Sequence, residues 1–553
     1  MASASLSTKA QSPVLKTYMK APEGRYTLQY EKIHPASLLQ YYHAKTISQL
    51  TIADLKEKSV AQTVTTLPAA TSASSTRTVA SRLLGGAGSG ARALSFSGGN
   101  GTGKAACVGG KIGGSVPTTS GWTSYSSNSD YYERGTYLVF NAGDTLYISD
   151  LNSPDKDPIK SIHFGNSNPM CHAFDSKSDG HDLLIGLQNG DIYSVSFRQQ
   201  LHDAGKKLIG AQHYNKDGVM TNSQCTCVAW VPDGDGVFVA GHSDGSIYVY
   251  EKGKDVTADC SFPSVKDQTQ FSVAHSRSSK SNPIARWHIS QGSINNLSFS
   301  TNGYLATVGR DGAYFLLSPD SYLRVFDFAN EKLICGGKSY YGALLCCAWS
   351  LDGKYVLSGG EDDLVQVWSM EERKLVAWGE GHNSWVSAVA FDLHWPAPDS
   401  DETGENVVYR FASVGQDTQM LLWDLALEEI AVPLRCRTGG SPTLSSGGPP
   451  AHRDNIYSPE TLQPSPSLRD VPKLSPVVAH RIHAEPLSGV IFTNESVLTI
   501  CREGLIKVWI RPGRQNDEDQ SATSDTAEFK DLPLFTSLSS TNSSFQQPAI
   551  LLQ

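Results

Sequence analysis

No run of apolar residues in this 553-residue chain comes near the roughly 18 needed to cross a membrane as a helix. The opening stretch, MASASLSTKAQSPVLKTYMK, lacks the apolar core of a secretory leader. A basic excess is missing as well: 46 Lys and Arg face 55 Asp and Glu, for a net charge of −9. That balance argues against a general nucleic-acid or anionic-membrane binder, because both require a basic surface. There are 10 Cys, but no Cys or His clusters at metal-ligand spacing. Several of these thiols lie in strand-like runs. Strand alternation would put Cys225 and Cys227 of QCTCVAW on one face, and Cys346 and Cys347 lie together in LLCCAWS, so all four read as small core residues. The expectation is a soluble protein of the cytoplasm, the nucleus or both, with reduced thiols and no metal, cofactor or small-molecule substrate.

What is present is turns and strands, with 49 Gly and 22 Tyr. A theme recurs with a period of roughly 40 residues. Each unit has a small-residue strand, a turn, an apolar strand, a Gly/Asp-rich turn, and a strand ending in an aromatic. The clearest copies span 225–251, 293–328, 344–370, 385–425 and 487–511; weaker ones span 136–151 and 169–197. About seven such units predict an all-β WD-repeat propeller of about seven four-stranded blades.

The best copy reads GHNSWVSAVAFD…FASVGQDTQMLLWDL. In it His382, Ser413, Asp417 and Trp423 have the spacing of a hydrogen-bonded tetrad, in which a turn carboxylate orients a His that reaches a hydroxyl and then an indole N–H. The last copy supplies His483, Thr499, Glu503 and Trp509 at equivalent positions, and another supplies Ser358, Asp362 and Trp368. Asp244 with Tyr250, and either Asp311 or Asp320 with Phe326, are degenerate versions. An Asp, a His and a Ser together imitate a catalytic triad. Their recurrence at the same place in successive repeats assigns them to architecture, so no catalytic residue is expected.

GGNGTGKA (98–105) imitates a phosphate-binding loop, but Ala105 stands where a hydroxyl belongs and no strand or helix pattern flanks it. Around 313–321 the apolar AYFLLSP interrupts a normal blade turn. The expected organisation is a flexible N-terminus (1–19), a strand and a short helix joining the propeller (20–58), and a disordered Ser/Gly/Thr-rich insertion (59–132). Propeller blades (133–435) follow, then a disordered Pro/Ser-rich loop (436–478), a last blade (479–512) and a disordered tail (513–553). Ser441, Ser458, Ser465 and Ser475, each followed by Pro, are candidate phosphorylation sites in that loop.

The ensemble of EGRYTLQY, LATVGRDG…YLRVFDF, YVLSGGEDDLVQVWSM, GHNSWVSAVAFD and LTICREGLIKVWIRP resembles the family of WD-repeat protein 20, the myotonic-dystrophy WD protein and the fungal catabolite-repression protein CreC. The resemblance covers about 20–35 and 135–512. It implies a non-catalytic regulatory subunit that binds and stimulates a ubiquitin-specific protease, together with a second WD-repeat protein. The competing reading is a substrate receptor of a cullin-type ubiquitin ligase, which often carries W-D-x-R at a blade end. Here Trp423–Asp424–Leu425 is followed by Ala426, and Trp509 by Ile510. A generic protein-interaction scaffold is the remaining alternative.

Overall fold

A computed structural model describes residues 15–32, 48–56, 134–254 (except 156, 166, 179, 180 and 204), 261–311, 321–395, 408–426 and 462–513. The described strands form seven sheets, antiparallel except for one two-residue strand added at the rim of blade five, arranged as the blades of a propeller. From the centre outward, blade one is Leu50–Leu55, Gly135–Ala142, Thr145–Asp150 and Lys160–His163. Blade two is Pro169–Phe174, Asp182–Leu187, Ile192–Ser196 and Gln212–Tyr214; blade three is Cys225–Trp230, Val237–His242, Ser246–Glu251, Ala285–His288 and a fifth strand, Ser272–His275. Blade four is Ile294–Phe299, Tyr304–Gly309, Tyr322–Asp327 and Lys332–Lys338; blade five is Leu344–Trp349, Tyr355–Gly360, Leu364–Ser369 and Lys374–Glu380. Blade six is Val386–Phe391, Val408–Gly415, Gln419–Ala426 and Val478–Arg481. Blade seven begins with Leu487–Phe492, Ser496–Cys501 and Ile506–Ile510, and its outer strands come from the other end of the chain: Gly24–Lys32, then Tyr18–Ala21.

The second and third strands of each blade are almost wholly buried because both of their faces meet a neighbouring blade; Val356, Leu357 and Val367 of blade five are 0 % exposed. The core is therefore seven apolar clusters, one at each blade-to-blade contact, and the cluster between blades seven and one (Leu498, Ile500, Val508 with Leu138, Phe140, Tyr147) closes the ring. In six blades the inner strand carries a bulge near its start, as between Cys225 and Cys227 or Val386 and Ala388.

That bulge corrects one sequence expectation. Cys225 and Cys227 do not share a face: the extra residue, Thr226, turns Cys225 toward blade two and Cys227 toward blade four. Cys346 and Cys347 likewise divide between blades six and four. The seven described thiols are all buried.

Two more expectations differ from the structure. The segment 436–478 is not loop throughout. Its end, 462–474, lies along the outer rims of blades four and five, where Lys473–Leu474 pairs in parallel with Trp378 and Gly379. Nor does the last blade begin at 479, because Val478–Arg481 completes blade six. Leu50–Leu55 is the inner strand of blade one; residues 33–47, and with them nearly all of the short helix expected around 37–50, lie outside the described residues. So do 98–105, Asp320, nearly all of the 313–321 insertion, Ser441 and Ser458. Among the described residues the α-helix is Phe197–His202, far too short to cross a membrane.

Strand alternation sorts the connections onto two faces. Turns between second and third strands, and links from one blade to the next, emerge on one face; the remaining turns emerge on the other. The linking face carries the turn carboxylates and the flanks of 312–320. The opposite face carries the exits of 57–133, 396–407 and 427–461.

Candidate functional site

The tetrad of blade six is assembled. His382 sits in the link from blade five, Asp417 in the turn between the second and third strands, and Ser413 and Trp423 on those strands. Asp417 Oδ2 lies 3.0 Å from His382 Nδ1, His382 Nε2 lies 2.8 Å from Ser413 Oγ, and Trp423 Nε1 donates to the same hydroxyl at 2.8 Å. A proton on Nδ1 satisfies every group: the imidazole donates to the carboxylate and accepts from Ser413, whose oxygen accepts from the indole. Burial pushes the Asp417 carboxyl up, but the His382 and Asn383 N–H donors outweigh it and hold the group below its ordinary value.

Ser413 is 0 % exposed and so is the His382 side chain. A hydroxyl shut between two strands cannot meet a substrate, so these atoms lock the blade-to-blade link onto the turn. The other copies are incomplete. In blade five Trp368 donates to Ser358 at 3.0 Å, while Tyr340 occupies the histidine position and Asp362 accepts from Gln366 Nε2 at 2.7 Å. Burial raises the Asp362 carboxyl to about 6. In blade seven His483 reaches Thr499 at 3.0 Å and Trp509 donates to Thr499 at 3.2 Å.

Glu503 corrects the expectation for blade seven. It is exposed, and buried His483 Nδ1 has no hydrogen-bond partner. The position that packs as Leu421 in blade six is Lys507 here, a cation engaged with Glu31 at 2.7 Å. In blade four Asp311 serves as the turn carboxylate, paired with Arg324. The hydroxyl of Ser321 fills in behind it, accepting the Leu344 N–H at 2.8 Å. In blade three Asp244 accepts from Thr221, while Tyr250 stacks on Phe238 with Ala240 in place of the hydroxyl residue. Ser465 is half-buried against blade four, and Ser475 is exposed.

Two surface residues on the linking face were missed from sequence. Tyr341 and Trp385, on consecutive blade-to-blade links, are 70 % and 43 % exposed. The signal is local: where blade six has Trp385 just before its inner strand, blade five has the small Ala343. Large aromatics are enriched at protein interfaces. Beside them Arg310 pairs with Glu361, which also accepts the Ala343 N–H at 2.9 Å. No group of three or more metal-ligating side chains occurs among the described residues.

The family described as WD domain, G-beta repeat matches residues 215–251 and 335–369. The first segment takes in the inner three strands of blade three and the second runs from the outer strand of blade four through the inner three strands of blade five, so they include the turn carboxylates Asp244 and Asp362. The chain carries WD repeats. It is 28% identical over 413 residues to the UBP9-binding protein bun62 of Schizosaccharomyces pombe, covering 68% of this chain and 71% of that one. A chain of the crystal structure of the Mitotic Checkpoint Complex aligns at TM-score 0.42 and 12% identity, covering 68% of this chain and 84% of that chain.

Proposed function

We propose that this WD-repeat protein is a non-catalytic scaffold that binds a ubiquitin-specific protease and raises its activity, alongside a second WD-repeat protein, in the cytoplasm, the nucleus or both. The observation that carries the reading is the likeness to a protein named for binding UBP9, which extends over 413 residues and 68% of this chain. The geometry supports the non-catalytic part: the triad-like residues are sealed inside blades and hold the fold. A rigid ring stimulates an enzyme by binding its competent state more tightly than its idle one. Exposed Tyr341 and Trp385 offer the aromatic anchors that protein interfaces favour.

The test is reconstitution. The purified chain is mixed with a ubiquitin-specific protease that it retains on affinity resin, and hydrolysis of a fluorogenic ubiquitin conjugate is followed. Turnover should rise with added chain, and the chain alone should show none. Failure to retain any such protease, or retention without a change in turnover, removes the binding or the activating half of the proposal respectively.

A further inference from the structure

The stretch 462–474 crosses two blade rims as a strap. Its main chain bonds the outer strand of blade four, with Gln463 N donating to Gly336 O at 2.9 Å and Lys338 N donating to Gln463 O at 3.0 Å. Gly336 leaves room for the Leu462 side chain, whose Cδ2 would lie 2.6 Å from a Cβ there. Farther on, the Trp378 indole donates to the carbonyls of Leu468 (3.2 Å) and Val471 (3.1 Å), and the Trp378 N–H donates to Pro472 O at 3.1 Å. Leu474 is 2 % exposed, and Lys473 pairs with Glu380. Between these anchor points lies one side-chain latch. Ser465 Oγ is 3.0 Å from Lys338 O and 2.8 Å from Ser339 O. Pro464 and Pro466 flank it, so neither neighbour has an N–H with which to reinforce the rim contact.

We propose that Ser465 is a phosphorylation site for a proline-directed protein kinase, and that its modification unlatches the strap from the rims of blades four and five. Ser465–Pro466 is the dipeptide such kinases take. The Ser465 oxygen attacks the γ-phosphorus of a nucleoside triphosphate, and the new Oγ–P bond replaces the bond to the bridging oxygen. The nucleoside diphosphate leaves, and the hydroxyl proton passes to the kinase's base. In the latched state the hydroxyl faces two carbonyl oxygens and can only donate. A phosphoryl group has no proton to give there at neutral pH and brings a charge of about −1.5 to −2 against those oxygens. The phosphorylated chain therefore favours the open strap. Opening bares the strand edges at Gly336–Lys338 and at Trp378–Gly379, whose N–H and C=O groups can then pair with another extended segment.

The full chain is incubated with a purified Ser/Thr-Pro kinase and ATP, phosphorylated sites are mapped by mass spectrometry, and amide hydrogen exchange is compared before and after. The Lys338 and Trp378 amides donate to the strap and are the reporters; Val356 inside blade five is the internal standard. Phosphate on Ser465, and likewise S465E, should speed exchange at both reporters about tenfold or more and leave Val356 unchanged. S475E, at an exposed serine of the same segment, should change neither reporter. S465A, which removes the hydroxyl without adding charge, should speed exchange less than S465E. The proposal is overturned if the phosphorylated chain keeps both reporters protected, if S465A and S465E act equally, or if the kinase modifies Ser475 but never Ser465.

Discussion

Trp423 donates its indole N–H to Ser413 Oγ at 2.8 Å across two adjacent strands, and both residues are 0 % exposed. The same hydroxyl serves His382, so S413A strands two buried polar groups at once. Leaving a buried donor or acceptor unpaired costs about 1–3 kcal/mol, more than the bond itself contributes. S413A should therefore lower the unfolding free energy by at least that range in equilibrium denaturation, with the midpoint falling and the slope unchanged. D417A should cost a comparable amount, because it releases His382 and the Asn383 N–H. E503A, at the equivalent but solvent-facing position of blade seven, should stay within about 0.5 kcal/mol. Equal losses for D417A and E503A would mean that Glu503 caps its histidine in solution after all.

Blade seven also sets an acid limit. Burial, with help from nearby Lys507, lowers the His483 imidazole from 6.5 to about 3. The unfolded chain takes up a proton as pH falls through 6.5, while the folded chain does so only near 3. Stability is thus present above pH 6.5 and is lost progressively down to about pH 3, at up to about 1.4 kcal/mol per pH unit from this group. His172, buried and lowered to about 4, adds to the same slope. In H483Q, urea midpoints measured from pH 7 to pH 4 should fall less steeply than in the parent. Parallel curves would show that His483 is not the group responsible.

Ring closure depends on the N-terminal strand. Gly24–Lys32 pairs with Ile506–Ile510, and Tyr26, 1 % exposed, fills the core between blades six and seven. Deleting residues 1–32 removes that side chain and Met19 and opens an edge along blade seven. The loss should exceed the roughly 3–5 kcal/mol of one deleted buried aromatic side chain. A truncated chain should melt earlier and self-associate on gel filtration, and a peptide spanning 15–32 should restore the parent transition. An unchanged melting curve would show that the ring closes without it.

The repeats were legible because blades write their second and third strands plainly: an apolar run, a Gly/Asp turn, an aromatic at the end. The tetrad of blade six was legible for the same reason, since its four residues hold fixed offsets from that turn. The inner-strand bulge was not. Thr226 looks like any strand residue, and nothing in QCTCVAW signals that it is the unpaired one. The strap was hidden by composition, since Pro and Ser read as loop. Its binding groups, Gly336 and Trp378, stand in other blades about 90 residues or more away in sequence. Glu503 misled because spacing records position and not reach: the carboxyl stands where Asp417 stands but is exposed to water, and Lys507, near the His483 ring, is paired with Glu31.

The thiols give a final test of how tightly the blades close. Cys171 and Cys225 face each other across blades two and three with Sγ atoms 3.8 Å apart, and Gly186 packs against both. Burial raises the thiols of Cys171, Cys227, Cys346 and Cys347 well above their ordinary range, and that of Cys335 to about 11. The thiolate is the reactive form, so thiols held protonated inside a packed ring react only when a blade opens. A chain with Cys107, Cys260 and Cys436 replaced by Ser retains the seven buried thiols. Native at pH 8, it should release almost no chromophore from a disulfide reagent; in denaturant it should titrate seven. Rapid native labelling, mapped by mass spectrometry to Cys171 or Cys225, would show instead that the contact between blades two and three breathes on the timescale of the reagent.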